Sequence, residues 1–99
     1  MKMAKAYWVV SYRKIKDQQK LEAYAQLAGP AVAEGGGRFV ARGVALKAYE
    51  LGALQRTTVV EFDSAEKAVA CREGQAYRRA LEALGDAVER DFRIVQGTE

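Results

Sequence analysis

Hydrophobic positions recur along this chain with two periods, and the places where the period changes divide it into elements. Lys5 to Tyr12 is rich in aromatic and β-branched residues and predicts a strand. Its alternation puts Tyr7 and Val9 on one face and Trp8, Val10 and Tyr12 on the other, so both faces are apolar. Asp17 then stands where a helix N-cap belongs, and Leu21, Tyr24, Ala25, Ala28 and Val32 recur at helical spacing. Gly29-Pro30 predicts a kink or break in this helix, with Pro30 restarting it. Gly35-Gly36-Gly37 predicts its end, since glycine takes the left-handed cap without penalty.

Arg38 to Val40 and Val44 to Tyr49 read as one long second strand, with a bulge or bend at Gly43. Leu51 to Leu54 is the expected hairpin loop, and Thr57 to Phe62 the third strand. Ser64 caps the next helix, where Ala65, Ala68, Val69 and Arg72 keep helical spacing. Gly74 looks like a joint, a further helical stretch runs from about Gln75 to Leu84, and Arg90 to Gln96 is the last strand. Strand-helix-strand, hairpin, helix-strand is the α+β pattern of ferredoxin-like βαββαβ folds. Right-handed crossovers put the two helical segments on one face of a four-stranded antiparallel sheet. The other face keeps bulky groups, and pairing two copies through it is the simplest closed cover. No repeat, linker or low-complexity tract divides the chain, so residues 1–99 read as a single domain.

Composition narrows the chemistry. The chain has no histidine, which removes the usual general base near neutral pH, the Ser-His-Asp and Cys-His arrangements, and the proximal haem ligand. With one cysteine besides, no metal site and no cofactor are expected. Cys71 lies in an apolar helical pattern and reads as a buried, inert thiol. Net charge is +3 without a dense Lys/Arg run, so nucleic acid and anionic membrane are not the expected partners. RNA-recognition domains share this element order, but the third strand carries Glu61 where their bases would stack. The apolar runs are too short to span a bilayer, and the opening Met1-Lys2-Met3-Ala4-Lys5 shows no signal-peptide core. The cytoplasm is the expected compartment.

A cavity between sheet and helices is the natural place for a site. A turn over Leu51 to Leu54 would set Glu61 opposite Val44, with Arg42 diagonal to it on the same face. Glu61 is then either ion-paired with Arg42 or Arg38, or an acid or base with a raised pKa, forming the polar end of a pocket with Arg42. Tyr24 and Tyr77 lie on the helix stripes that face the sheet, either as core residues or as hydroxyls orienting an aromatic or acidic ligand. Tyr12 and Arg13, at the end of the first strand, are further candidates. The three glycines follow a helix and precede a strand, the reverse of a phosphate-cradling loop, so they read as a helix stop.

The chain resembles the dimeric α+β barrel superfamily and, within it, the small stand-alone proteins of domain-of-unknown-function family 1330. The resemblance spans nearly the whole chain. It rests on Tyr24, Leu27-Ala28-Gly29-Pro30, Gly36-Gly37-Arg38-Phe39, Arg42-Gly43, Val60-Glu61-Phe62, Ser64-Ala65-Glu66-Ala68 and Ala76-Tyr77. It implies a homodimer joined through the open sheet face. Where that family often has Ser-Pro before its tyrosine, this chain has Glu73-Gly74-Gln75-Ala76, which implies a different pocket mouth. Related branches include cofactor-free monooxygenases of aromatic polyketides, and haem enzymes that need a histidine. Two functions are therefore expected. One is a small dimer binding a small organic ligand, aromatic or acidic, as a binding protein or cofactor-free enzyme. The other is a non-catalytic protein-interaction or stress-related module.

Overall fold

A computed structural model gives the placement of residues 4–98. Met1 to Met3, part of the opening run weighed above for a leader, lie outside the described residues, as does Glu99. Strand β1, Ala6–Ile15, leads through a short turn to helix α1, Gln18–Glu34, whose first turn is capped by the Asp17 carboxylate accepting from the Lys20 amide. Strand β2 is Arg38–Val44 and strand β3 is Arg56–Phe62. Helix α2, Ala65–Glu73, is capped by the Ser64 hydroxyl accepting from the Lys67 amide. It meets helix α3, Gln75–Leu84, at Gly74, and strand β4, Val88–Gln96, closes the order. The sheet is antiparallel throughout with order β2-β3-β1-β4, and the helices cover one face. The ferredoxin-like architecture is the expected one.

Four local expectations are corrected. The expected break and restart at Pro30 are absent and α1 runs through it as one helix, because the packing of Ala28, Ala31 and Val32 against the core holds the helix across the lost hydrogen bond. The bulge in β2 falls between Phe39 and Ala41, not at Gly43. Strand β2 stops at Val44, and residues 45–55 form a long loop instead of continuing the strand. On α2 the buried positions are Ala68 and Cys71, while Val69 faces outward.

Strand parity determines what each face carries. Ala6, Trp8, Val10 and Tyr12 of β1 and Thr58, Val60 and Phe62 of β3 point under the helices and are buried. Trp8 is the centre of this core at 2% exposure. Its indole nitrogen donates to the Ala68 carbonyl at 2.9 Å. Its ring lies 5.0 Å from Phe62, 4.9 Å from Tyr77 and 5.1 Å from Phe92, ranges at which tilted aromatic pairs attract. The turn after α1 is equally tight. Gly36 takes a φ of 89°, and a Cβ on Gly37 would stand 2.7 Å from both Phe62 and Val32. Cys71 donates to the Ala31 carbonyl, and burial raises its thiol pKa, as an inert core thiol requires.

Replacing Trp8 by alanine should lower the unfolding free energy by about 3–5 kcal/mol in urea denaturation. A loss below about 1 kcal/mol would show that the core is not organised around this ring.

Candidate functional site

One row of side chains at the end of the sheet builds the polar part of the helix-facing side. Tyr12 of β1 pairs with Arg90 of β4, and Arg56 of β3 stands one position beyond the Ser11–Thr57 pair. Strands lie roughly 4.8 Å apart, so Arg56 and Arg90 flank Tyr12 from the two neighbouring strands. Their guanidinium carbons are 5.9 Å and 5.6 Å from its ring centroid. Helices α1 and α3 lower Tyr24 and Tyr77 onto this row, with rings 5.9 Å apart and edge to face.

Arg90 gathers the three phenols. Its Nη1 donates to the Tyr12 and Tyr24 hydroxyls, both at 3.1 Å, and its Nη2 donates to Tyr77 at 3.4 Å. Tyr24 and Tyr77 are also hydrogen-bonded to each other. Burial pushes the Tyr77 hydroxyl well above its usual pKa, the neighbouring Tyr24 adds to this, and Arg90 only partly opposes it. Burial also raises Tyr12. Both phenols therefore keep their protons at neutral pH.

These groups line a cavity of about 40 Å³ between sheet and helices. Val10, Val60, Ala28 and Val32 form its apolar wall. Ala25, Gly29, Phe39 and Arg42 border it where α1 stands over β2, with the Arg42 guanidinium 4.4 Å above the Phe39 ring. Among the described residues three arginines line the cavity and no carboxylate does. Among the described residues none of the three is ion-paired, and Arg56 Nε is buried without a hydrogen-bond partner. The arrangement can hold and polarise an oxygen anion. Among the described residues its lining holds no histidine, carboxylate or lysine to act as a general base.

Of the residues singled out from sequence, Tyr12, Tyr24, Tyr77 and Arg42 meet at this cavity, and Glu61 and Arg38 do not. The expected pairing of Glu61 with Val44 is replaced by Glu61 with Arg38, and Arg42 pairs with Thr58. The β2 bulge and the longer loop shift the register, so Glu61 and Arg42 take opposite faces. Glu61 therefore cannot form the polar end of the pocket with Arg42. On the open face its Oε1 accepts from Arg38 Nε at 3.1 Å and Nη2 at 2.8 Å, and its Oε2 accepts from the Tyr7 hydroxyl at 3.2 Å. The Arg38 hydrogen bonds hold Glu61 below the usual carboxylate range against the opposing effect of partial burial, so its pKa is lowered instead of raised. Asp63 is lowered by the same guanidinium. Arg13, the remaining candidate, pairs with Asp91 on that open face.

Arg90 and Arg56 were missed by sequence reasoning. Each has the parity of its strand's inward residues, Phe92 and Ile94 in one case and Thr58, Val60 and Phe62 in the other. That parity was the available signal, and charge disguised it.

The family model described as Domain of unknown function (DUF1330) matches residues 5–98. The chain belongs to that family. No curated protein gives a match. Among solved structures, this DUF1330 chain is similar to a protein of unknown function from Rhodopseudomonas palustris, at 16% identity and TM-score 0.76, covering 99% of this chain and 85% of that one. It is also similar to a dimeric ferredoxin-like protein of unknown function from Thermobifida fusca, at 18% identity and TM-score 0.63, covering 95% and 92%. A suggested antibiotic biosynthesis monooxygenase from Caulobacter crescentus aligns at 9% identity and TM-score 0.64, covering 98% and 92%. At these identities the likeness is one of fold.

The lowered carboxylates set a pH dependence. A depressed folded-state pKa stabilises the protein fully above the ordinary values of 4.5 for Glu61 and 3.8 for Asp63, and that contribution is lost as pH falls through the folded values. Urea midpoints of the wild type should therefore fall as pH drops below about 4.5, and more steeply than those of Arg38→Met. Equal slopes would mean that Arg38 does not hold these carboxylates.

Proposed function

We propose that this DUF1330 protein binds a small organic ligand, acidic or aromatic, with its polar end in the cavity between sheet and helices. One observation carries the reading: among the described residues three guanidinium groups and three phenols line the cavity and no carboxylate does. Arg56 and Arg90 are partly buried, so their repulsion is screened less than that of surface charges, and an anionic ligand would relieve it. A cofactor-free enzyme is the second reading. Arg90 with Tyr24 and Tyr77 could stabilise negative charge developing on a ligand oxygen, while the proton acceptor would come from substrate or solvent.

Thermal unfolding with a panel of hydrophobic acids, phenols and quinone precursors checks this. Binders at ten times their Kd should raise the midpoint by about 5 °C or more, and Arg90→Met should abolish the shift. A flat response across the panel would overturn the reading in favour of a protein-interaction module.

We also propose that the protein works as a homodimer through the open sheet face. Val9, Val59 and Val95 lie on that face, and the loop 45–55 beside it leaves Leu46 96% and Leu51 100% exposed. Apolar exposure of this kind normally marks an interface. A groove of about 700 Å³ between loop and sheet would seat the partner, and the Thermobifida fusca protein of similar fold is described as dimeric. Sedimentation should give twice the mass of one chain, and Val59→Lys combined with Leu51→Asp should give a folded monomer. A wild-type monomer at about 100 μM would exclude a stable pair.

A further inference from the structure

The donors in the cavity outnumber its acceptors, and counting them one by one points to a class of ligand. Arg90 spends three of its four Nη protons on phenol oxygens. Within the Tyr24–Tyr77 pair one hydroxyl donates to the other, so one proton of that pair is left unspent. Tyr12 accepts from Arg90 and has no acceptor for its own proton among the described residues. Arg56 Nε is buried and unpartnered, although Arg56 is charged at any physiological pH. Buried donors of this kind are normally satisfied, and Arg56 has neither a side-chain nor a backbone acceptor to do it.

Two of these unspent donors belong to neighbours. Arg56 and Tyr12 stand side by side on β3 and β1, with the guanidinium against the Tyr12 ring. The Nε edge of a guanidinium offers two parallel N–H groups, the spacing that a planar two-oxygen anion accepts. Space sets the second limit. An apolar cavity that takes up benzene measures roughly 150 Å³. The 40 Å³ here admits a head group and not a ring. The rest of the ligand must lie outside it, on the side where the lining residues Phe39 and Arg42 of the exposed strand β2 stack. A Cβ built on Gly29, which also lines the cavity, meets nothing within 4 Å.

We infer that the ligand is a carboxylate whose head group sits against the Nε edge of Arg56 and the Tyr12 hydroxyl, with a flat apolar body reaching out over Phe39 and Arg42. This rests on the small-molecule reading above and specifies the class of ligand. Arg90 is then a positioning residue: it holds the three phenols with their oxygens inward and their remaining protons free for the ligand.

Calorimetry with a matched set tests it: 3-phenylpropanoate, its primary amide and 3-phenylpropanol. The carboxylate should bind about tenfold or more tightly than either neutral analogue, because only it accepts from both Arg56 donors. Arg56→Met should remove that preference while keeping the apo melting temperature equal or higher, since it deletes a buried unpartnered donor. Arg38→Met, on the opposite face, should leave the preference intact. Equal binding of the three compounds, or full carboxylate preference in Arg56→Met, would overturn the carboxylate assignment and leave the small-molecule reading standing. A rise in melting temperature with chloride at matched ionic strength, with no carboxylate binding, would reduce the site to an adventitious ion only and overturn the assignment. Failure of these probes and of the wider panel together would remove both.

Discussion

Alternation along the strands is the constraint on which the rest of this structure depends. Successive residues of a strand point to opposite faces, and a one-residue slip would exchange those faces wholesale. Trp8 holds the register of the central strand, because its indole must reach the Ala68 carbonyl and three aromatic rings at once. With Trp8 inside, Val10 and Tyr12 follow it under the helices, and Tyr7, Val9 and Ser11 go outside. Pairing then transmits the parity across the sheet. Arg56, Arg42 and Arg90 are carried inward, while Arg38, Glu61 and Asp91 are carried outward.

The two faces solve their electrostatics differently as a result. Outside, cations and carboxylates are interleaved: Arg38 lies between Glu61 and Asp63, and Arg93 and Arg13 share Asp91. Exposed pairs of this kind contribute little each, but each of these cations has a carboxylate partner. Inside, the charges are all of one sign and are met only by phenol dipoles and ring faces. A well-packed core has no use for such an excess of donors. Local rules broken in this way are the usual mark of a site.

Much of the fold was legible from periodicity. The order of elements, the caps at Asp17 and Ser64, the stop at Gly35 to Gly37 and the joint at Gly74 all follow from local chemistry that needs no distant partner. The break expected at Pro30 is absent for the opposite reason. The proline's local penalty is real, but burial of Ala28, Ala31 and Val32 on both sides of it outweighs one lost hydrogen bond. The end of β2 was misread because Val44 to Tyr49 is apolar enough for a strand and nothing local says that it lacks a pairing partner.

The sequence by itself determined which residues could be inside: the aromatic and branched alternation of β1 and β3, the helix stripes bearing Tyr24 and Tyr77, and the absence of histidine that bars the commonest catalytic chemistries. Only the tertiary structure decided which polar residues joined them. Register is a long-range property, and here a bulge at Val40 and an eleven-position loop shift it away from the value that a tight hairpin would have set. That shift sends Glu61 to the open face beside Arg38 and leaves Arg56, Tyr12 and Arg90 in one inward row. Three strands must be paired before those residues become neighbours, and no window along the chain contains them together.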